Sequence, residues 1–330
     1  MKKKIVSVLL AATLAVSVIS GCQGTENSSE EENQSTENAV EEETQDKEKE
    51  IRETAEAVDV NVTALKGPTA MGMVKFMDDA DQGNITSENY HFSIAASADE
   101  VTPKLVQGET DIAAVPANLA SVLYNNTDGQ VQVLAINTLG VLYIVESGDT
   151  VQSVADLKGK TIYASGKGST PEYSLRYILS ANGIDPDTDV TIEWKSEHSE
   201  CVAALSSTEN AIAMLPQPFV TTAQSKNPAI RTALDLTEEW DRVQETQEIK
   251  SSLLTGVVVA RTEFVEENPE AVEDFMDNYE ASVNYVNKNT QEAAKLVGQY
   301  DIVAEEVAKT ALPECNIVFI DGSEMKEKLS

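Results

Sequence analysis

Residues 107–118 read Gln-Gly-Glu-Thr-Asp-Ile-Ala-Ala-Val-Pro-Ala-Asn, and the fold class follows from this stretch and its two flanks. The residues before it, 99–107, have helical spacing, and Gly108 is typical of the end of a helix. Residues 111–115 form a short apolar run, which predicts a buried strand, and helical spacing resumes through Tyr124. A helix, a strand and a helix in direct succession indicate an α/β fold whose parallel sheet is covered on both faces.

The same alternation runs along the chain from Val58 onward. Short β-rich runs predict strands at 58–62, 92–96, 161–165, 190–194, 211–215 and 256–260, and a longer apolar run covers 131–145. Helical spacing predicts helices at 70–80, 171–182 and 199–207, and mostly helical sequence after 260. The stretch around Trp240 is polar, and no element is assigned to it. The folded part, about 270 residues, exceeds what one hydrophobic core usually serves, so we expect two lobes.

The N-terminus has the features of an export signal. Three lysines at 2–4 precede an apolar run at 5–19, which is shorter than the roughly 20 residues that a spanning helix needs. Ile19-Ser20-Gly21-Cys22 resembles the bacterial lipobox, in which the cysteine is acylated and becomes the mature N-terminus. We therefore expect a signal peptide at 1–21 and a lipid on Cys22. The alternative is an uncleaved anchor with an incidental cysteine.

Composition indicates what the rest of the chain can and cannot do. Residues 22–57 are acidic and hold almost no large apolar side chain, which predicts a disordered tether between the lipid and the fold. The net charge of −32 argues against nucleic-acid binding, because neutralising phosphates requires clustered Lys and Arg. Cys201 and Cys315 lie far apart in sequence, so a disulfide between them is possible but not favoured.

Three strand-to-helix junctions are candidates for a binding site. They lie at 66–69, 97–100 and 166–171, where helix N-termini beyond strand ends offer free backbone N–H groups. In the third junction Thr170 suits the N-cap and Pro171 the first helical position. Each Ser or Thr there could simply cap a helix. Three such junctions on strands of two lobes instead favour a pocket.

Motifs for catalysis or for a cofactor are absent from the sequence. Residues 166–170 have neither P-loop nor dinucleotide-binding spacing. The only histidines are His91 and His198, and Glu197, His198 and Cys201 form a weak candidate for a metal site that lacks paired ligands. We interpret His198 as a surface or packing residue. No nucleophile motif appears, so we expect no catalytic residue, no metal and no cofactor.

Several motifs together carry a resemblance to a known family. They are residues 107–118, Asn137-Thr138-Leu139-Gly140, Asp156-Leu157-Lys158-Gly159-Lys160, Gly168-Ser169-Thr170-Pro171-Glu172-Tyr173 and Met214-Leu215-Pro216-Gln217-Pro218-Phe219. With the lipobox and the acidic tether, this set resembles the substrate-binding lipoproteins of ABC importers of the nitrate/sulfonate/taurine type, which are grouped with thiamine-pyrimidine-precursor binding proteins. The likeness covers roughly residues 60–289.

The resemblance implies a type II periplasmic-binding-protein fold, with two α/β lobes joined by two hinge strands and a solute in the cleft between them. On that pattern the first lobe is 58–147 plus 248–330 and the second is 148–247. Solute would bridge the lobes and favour the closed state, which would dock on a permease driven by a cytoplasmic ATPase. The matching solute-binding residues are Gly67, Pro68, Thr69, Ser97, Ala98, Ala117, Asn118, Thr138, Ser169, Thr170, Pro216 and Gln217.

These residues indicate only that the solute is small and polar. The nearest cations are Lys66 and Lys167, and no arginine falls in these loops. Glu100 and Glu172 could face amino groups of a solute or could simply stabilise helix N-termini.

We expect a monomeric receptor held at the extracytoplasmic face of the cell membrane. A lipid tether would keep it beside its permease in a cell without an outer membrane, which favours a Gram-positive source. The alternatives are an enzyme of the thiamine-pyrimidine-synthase type, whose Cys-rich motif is missing here, and a surface sensor that does not take part in transport.

Overall fold

A computed structural model describes residues 57–248 and 250–329. The predicted signal peptide, the lipid on Cys22 and the tether up to residue 56 lie outside the described residues. The strands are β1 Asp59–Leu65, β2 Asn89–Ala95, β3 Ile112–Pro116, β4 Val131–Leu139, β5 Leu142–Glu146, β6 Thr161–Ser165, β7 Thr191–Lys195, β8 Ile212–Pro216, β9 Arg231–Asp235, β10 Leu254–Arg261 and β11 Ile317–Ile320.

The described α-helices fill most of the connections between these strands. They are α1 Pro68–Met71, α2 Val74–Asp81, α3 Ala98–Val106, α4 Ala117–Asn126, α5 Thr170–Ala181, α6 His198–Ser207, α7 Phe219–Lys226, α8 Leu236–Gln244, α9 Thr262–Glu267, α10 Pro269–Lys288, α11 Thr290–Gln299, α12 Glu305–Ala311 and α13 Gly322–Leu329. Short 3-10 turns cover Val154–Leu157 and Leu312–Glu314.

The strands form two sheets. The first has the order β11-β4-β10-β3-β1-β2, and the second has the order β7-β6-β8-β5-β9. Strand β1 is parallel to β2 and β3, whereas β10 runs antiparallel to β3 and β4. In the second sheet β6 is parallel to β7 and β8, and β5 runs antiparallel to β8 and β9. Each sheet is therefore mixed, with a parallel part built from strand–helix–strand units.

The chain passes from one sheet to the other twice within the described residues. The first passage follows β4 at residues 140–141, and the second follows α8 and leads into β10. Strand β5 lies in the second sheet, so the first passage comes one strand before residue 147, where the sequence placed the lobe boundary. The lobe boundaries near residues 147 and 247 stay predictions.

Each sheet is covered by helices on both of its faces. On one face of the first sheet, Phe76 packs edge-on against Tyr90 and Phe92, with ring centroids 4.7 and 5.0 Å apart. The opposite face carries a cluster that includes Leu105, Leu123 and Met325. Two further clusters cover the second sheet in the same way. This burial on both faces explains why the strands read as continuous apolar runs.

Three details of the predicted element pattern were wrong. The helix expected at 70–80 is two helices, α1 and α2, separated by residues 72–73. The single apolar run at 131–145 is two strands that belong to different sheets. The polar region around Trp240 contains helix α8, whose inner residues include buried Leu236 and Glu239. The Trp240 ring packs on Tyr177 of α5, with 4.6 Å between the ring centroids.

Two further properties concern the membrane and the cysteines. Within 57–248 and 250–329, no helix combines the length and the apolar character that crossing a membrane requires. Cys201 and Cys315 are buried free thiols in different core clusters, one beside each sheet. The disulfide that the sequence left open is not formed.

Candidate functional site

A cavity of about 200 Å³ lies where residues of both sheets meet. From the first sheet and its loops come Leu65, Lys66, Gly67, Pro68, Thr69, Pro116, Thr138 and Thr255. Val141 comes from the first passage between the sheets, and the second sheet and its loops supply Leu142, Gly166, Ser169, Thr170, Pro171, His198, Pro216, Gln217, Pro218 and Phe219. Depressions of about 530 and 660 Å³ elsewhere are each lined from one sheet's side alone.

The first junction of the sequence analysis forms one wall. Gly67 has φ 131° and ψ −156°, a backbone conformation that only glycine adopts readily, and this turn directs the chain from β1 into α1. The Thr69 hydroxyl donates to the Leu65 carbonyl oxygen at 2.6 Å, which fixes the buried side chain against the strand end. Thr138 is also buried, and its hydroxyl donates to Asn137 Oδ1 at 3.0 Å.

The third junction of the sequence, 166–171, forms the opposite wall. Its helix begins one residue earlier than predicted. Ser169 is the N-cap of α5 and Thr170 is its first helical residue, so the prediction that Thr170 caps the helix was wrong. The Thr170 hydroxyl instead donates to Asn118 Oδ1 at 3.2 Å. Asn118 lies on α4 beside the first sheet, and this hydrogen bond therefore joins the two sides of the site. The Ser169 hydroxyl donates to the Gly166 carbonyl oxygen at 2.6 Å.

Residues 216–218 connect β8 to α7 and close the floor of the cavity. The backbone N–H of Gln217 donates to the Val141 carbonyl oxygen at 3.0 Å, next to the first passage between the sheets. The Gln217–Pro218 peptide bond is cis. Only 5% of Gln217 is exposed, and its side-chain oxygen accepts hydrogen bonds from Thr221.

His198 lies in the lining, whereas the sequence predicts a surface or packing residue at this position. It is the first residue of α6, and its Nδ1 lies 2.5 Å from the Ser165 hydroxyl oxygen. Its ring packs on Phe219, with 4.8 Å between the ring centroids. Burial lowers the pKa of His198 to about 4, and the Glu197 carboxylate opposes that shift. The imidazole is therefore neutral at pH 7 and keeps one N–H donor.

Eight of the twelve predicted solute-binding residues line this cavity: Gly67, Pro68, Thr69, Thr138, Ser169, Thr170, Pro216 and Gln217. Asn118 is not in the lining but contacts it through Thr170. Ser97, Ala98 and Ala117 are not brought to it. Ser97 is exposed at the start of α3, which Ala98 begins, and Ala117 faces a separate depression with Tyr124. That these residues hold a solute remains a prediction.

Lys66 is the charged side chain in the described lining, and no carboxylate accompanies it there. Its Nζ lies 3.9 Å from Asp301, which is fully exposed. Glu172 Oε2 accepts from the backbone N–H of Gly168 at 2.7 Å, and Glu100 Oε2 accepts from that of Ala96 at 3.3 Å. Both carboxylates therefore accept hydrogen bonds within their own loops. This favours a role in stabilising helix N-termini over contact with amino groups of a solute. Lys167, the other nearby cation, does not line the cavity.

The described part of the chain offers no ready metal site. Across 57–248 and 250–329, no three His, Cys, Asp or Glu side chains are placed so that they could hold a metal ion. Glu197 instead donates its backbone N–H to Glu200 at 3.1 Å, as part of a capping arrangement at the start of α6. The chemistry available in the cavity is therefore hydrogen bonding, helix N-termini and apolar contact.

The His198 environment predicts how stability changes with pH. Because the pKa of His198 falls from about 6.5 in the unfolded chain to about 4 in the fold, the unfolded state binds the extra proton first as pH drops. Stability should therefore be lost below about pH 6.5, by about 2 kcal/mol between pH 7.5 and pH 5. We expect His198→Gln to lack this part of the loss in urea unfolding at the two pH values.

The unmodified protein, unfolded in urea at the same two pH values, is the comparison. Equal pH dependence in His198→Gln and the unmodified protein would contradict the lowered pKa of His198.

Comparison with known proteins places this chain in a family. A family model described as the periplasmic substrate-binding protein of a phosphonate ABC transporter matches residues 85–306, which is more than half of the chain. A curated relative from Brucella abortus, named only as a binding protein, is 26% identical over 178 residues, which are 54% of this chain and 52% of the relative. The chain thus spans about half the length of the curated relatives it matches.

Solved structures share the fold at low sequence identity. An ABC transporter protein from Parabacteroides distasonis superimposes with a TM-score of 0.67 at 21% identity, covering 82% of this chain and 89% of that one. The periplasmic aliphatic sulphonate binding protein of Escherichia coli gives 0.64 at 14% identity, covering 81% and 82%. The periplasmic nitrate-binding protein of Synechocystis gives 0.59 at 14% identity, covering 82% and 75%.

These structural matches confirm the two-lobed α/β fold that the resemblance predicts. The family match rests on the sequence itself and extends from the loop after α2 into α12, so it leaves out β1 and the 66–69 junction of the first wall. The chain therefore belongs to the periplasmic substrate-binding proteins of ABC transporters that the phosphonate family model describes.

Proposed function

We propose that this protein is a lipid-anchored, extracytoplasmic receptor that captures a small oxyanion in the cavity and delivers it to an ABC permease. Membership of the family implies an extracytoplasmic location. The anchor, the charge of the solute and the delivery step are proposals that rest on the observations below.

The start of three helices at one cavity carries the proposal. Thr170, His198 and Phe219 are the first residues of α5, α6 and α7, and all three line the cavity. A helix N-terminus presents free N–H groups and a partial positive charge, so three of them together favour an anion. The described lining itself contains no carboxylate, although Glu172 and Glu200 lie in the first turns of α5 and α6.

The volume of the cavity and its apolar lining residues favour an anion that carries a small organic group. About 200 Å³ is room for a compact solute, and apolar side chains such as Leu65, Leu142 and Phe219 cover part of the wall. The family description names phosphonate, and two of the structural neighbours are named for sulphonate and nitrate. All three are oxyanions, which agrees with the site.

Delivery requires that the solute stabilise one arrangement of the two lobes. Because the cavity takes residues from both sheets, a solute that contacts both walls binds the closed arrangement more tightly than the open one. The hydrogen bond from Thr170 to Asn118 joins the same two walls. The closed form then provides the surface that a permease recognises.

Anchoring rests on the sequence Ile19-Ser20-Gly21-Cys22, which follows an apolar run too short to span a membrane. A lipid on Cys22 would keep the receptor near its permease. An acidic segment of about 35 residues separates Cys22 from the fold in the sequence.

The solute itself can be recovered from the protein. We expect mass spectrometry of natively purified protein, after denaturation, to release a small oxyanion in unchanged form. Adding that compound back to solute-free protein should raise the melting temperature by roughly 5 °C at a large excess over Kd. Turnover of the compound would instead support an enzyme on this fold and would contradict the receptor.

The double variant Thr170→Ala/Gln217→Ala tests the placement of the site. Because it removes a hydroxyl and an amide from two different loops of the lining, affinity for the recovered solute should fall at least tenfold, measured by calorimetry. The matched control is Thr222→Ala/Gln224→Ala, which removes the same side chains from α7 outside the cavity. Unchanged affinity in the first variant, with both melting normally, would refute the assignment of this cavity.

Cys22→Ala tests the anchor. The unmodified protein should partition with membranes, and its N-terminal peptide should carry the mass of acyl chains. Cys22→Ala should appear in the soluble extracytoplasmic fraction, whereas Cys315→Ala, which changes a buried thiol of the fold, should remain with membranes. Membrane retention of Cys22→Ala would contradict lipid anchoring through this residue.

A further inference from the structure

The side-chain amide of Gln217 is buried in the cavity wall and has a defined orientation. Its Oε1 lies 3.3 Å from the backbone N–H and 3.0 Å from the hydroxyl of Thr221, one helical turn into α7. A backbone N–H can only donate, so the amide atom facing it must be the oxygen. Exchanging the oxygen and nitrogen of the amide would place two donors against each other, which excludes the flipped orientation.

The nitrogen of the same amide is therefore left for the cavity. The hydrogen bonds of the Gln217 side chain within the described residues are made by Oε1, which leaves Nε2 available to a group in the cavity that Gln217 lines. A solute oxygen placed against Nε2 gains a hydrogen bond in a largely buried site, whereas an ammonium group placed there would put donors against donors.

The charges around the cavity also disfavour an ammonium group on the solute. An ammonium group on the solute would lose water on entering the site and would need a carboxylate in return. The described lining supplies none, and its charged side chain, Lys66, has the same sign as the ammonium. The Glu172 carboxylate, in the first turn of α5, accepts from a backbone N–H group of its own loop.

We propose that Thr221 is a positioning residue that fixes Gln217 as a hydrogen-bond donor, so that the site selects organic oxyanions without an ammonium group over their amino derivatives. This inference rests on the proposed receptor function and deepens it to a class of solute. Thr221 itself is 4% exposed and does not line the cavity, so it acts only through Gln217.

Two pairs of probes test the selection. Ethylphosphonate is compared with 2-aminoethylphosphonate, and ethanesulfonate with 2-aminoethanesulfonate, by calorimetry on the full mature protein freed of solute. We expect the compound without the amino group to bind at least tenfold more tightly in at least one pair. Gln217→Glu replaces the donor by a carboxylate and should reverse that preference, with weaker binding of the plain anion and tighter binding of its amino derivative.

Variants of Thr221 test the positioning. Thr221→Val removes one of the two hydrogen bonds to Oε1 and should reduce the ratio of affinities within the pair about threefold or more, while Thr221→Ser should restore it. Thr222→Val is the matched control, because its hydroxyl donates to the Pro218 carbonyl oxygen at 3.0 Å and not to Gln217. That control should keep the ratio of the unmodified protein. All variants are first checked for an unchanged melting temperature.

The outcomes separate this inference from the function on which it rests. If the unmodified protein binds the amino compounds as tightly as the plain anions or more tightly, the selection is wrong while the receptor function stands. An unchanged ratio in Thr221→Val overturns the positioning role. If none of the four probes binds and native extraction yields no oxyanion, the proposed function fails and the inference fails with it.

Discussion

The fold depends on a close contact at Gly140, where the chain passes from the first sheet to the second. A Cβ atom at this position would lie 2.0 Å from the Thr237 hydroxyl of α8, so only glycine allows the approach. The Gly140 carbonyl oxygen accepts a hydrogen bond from the Asn316 side chain at 2.5 Å, beside the first sheet. One peptide is thereby held from both sides. The residue that follows, Val141, lines the cavity and accepts the Gln217 backbone N–H, so the passage between the sheets is also the floor of the site.

Much of the fold could be predicted because alternating strands and helices produce characteristic spacings of apolar residues in the sequence. Strands β1 to β3 and helices α5 and α6 agree with the predicted elements to within three residues at most ends. Apolar patterning does not show which sheet a strand joins. The run at 131–145 therefore gave no sign that it contains two strands of different sheets, with the passage between them at Gly140. Helix α8 was missed because its burial depends on distant partners, above all the Trp240 contact with Tyr177, which no local pattern reveals.

The site could be predicted only as far as strand order allows. Ser97 follows β2, the edge strand of the first sheet, and this places it away from the passage between sheets, where the cavity lies. Sequence alone gives no strand order, so this junction looked equivalent to the one at Gly67. His198 follows β7, an edge strand of the second sheet, but its long side chain packs on Phe219 and lines the cavity. A fourth strand-to-helix junction at 196–198 was the available signal for it.

The proposed capture of an anion by a chain with a net charge of −32 requires local forces to exceed the overall field. Exposed charges more than about 10 Å away are largely screened at physiological salt, so most of the surface carboxylates contribute little inside the cavity. Within a few ångströms, the N-termini of three helices, the Gln217 nitrogen and Lys66 act in a partly desolvated space where each is worth more than in water. The acidic surface therefore slows the approach of an anion at low salt more than it weakens the bound state. In the proposed receptor, affinity and selectivity therefore lie with the few groups that line the cavity, and among these the orientation of the Gln217 amide determines which atom the solute must present.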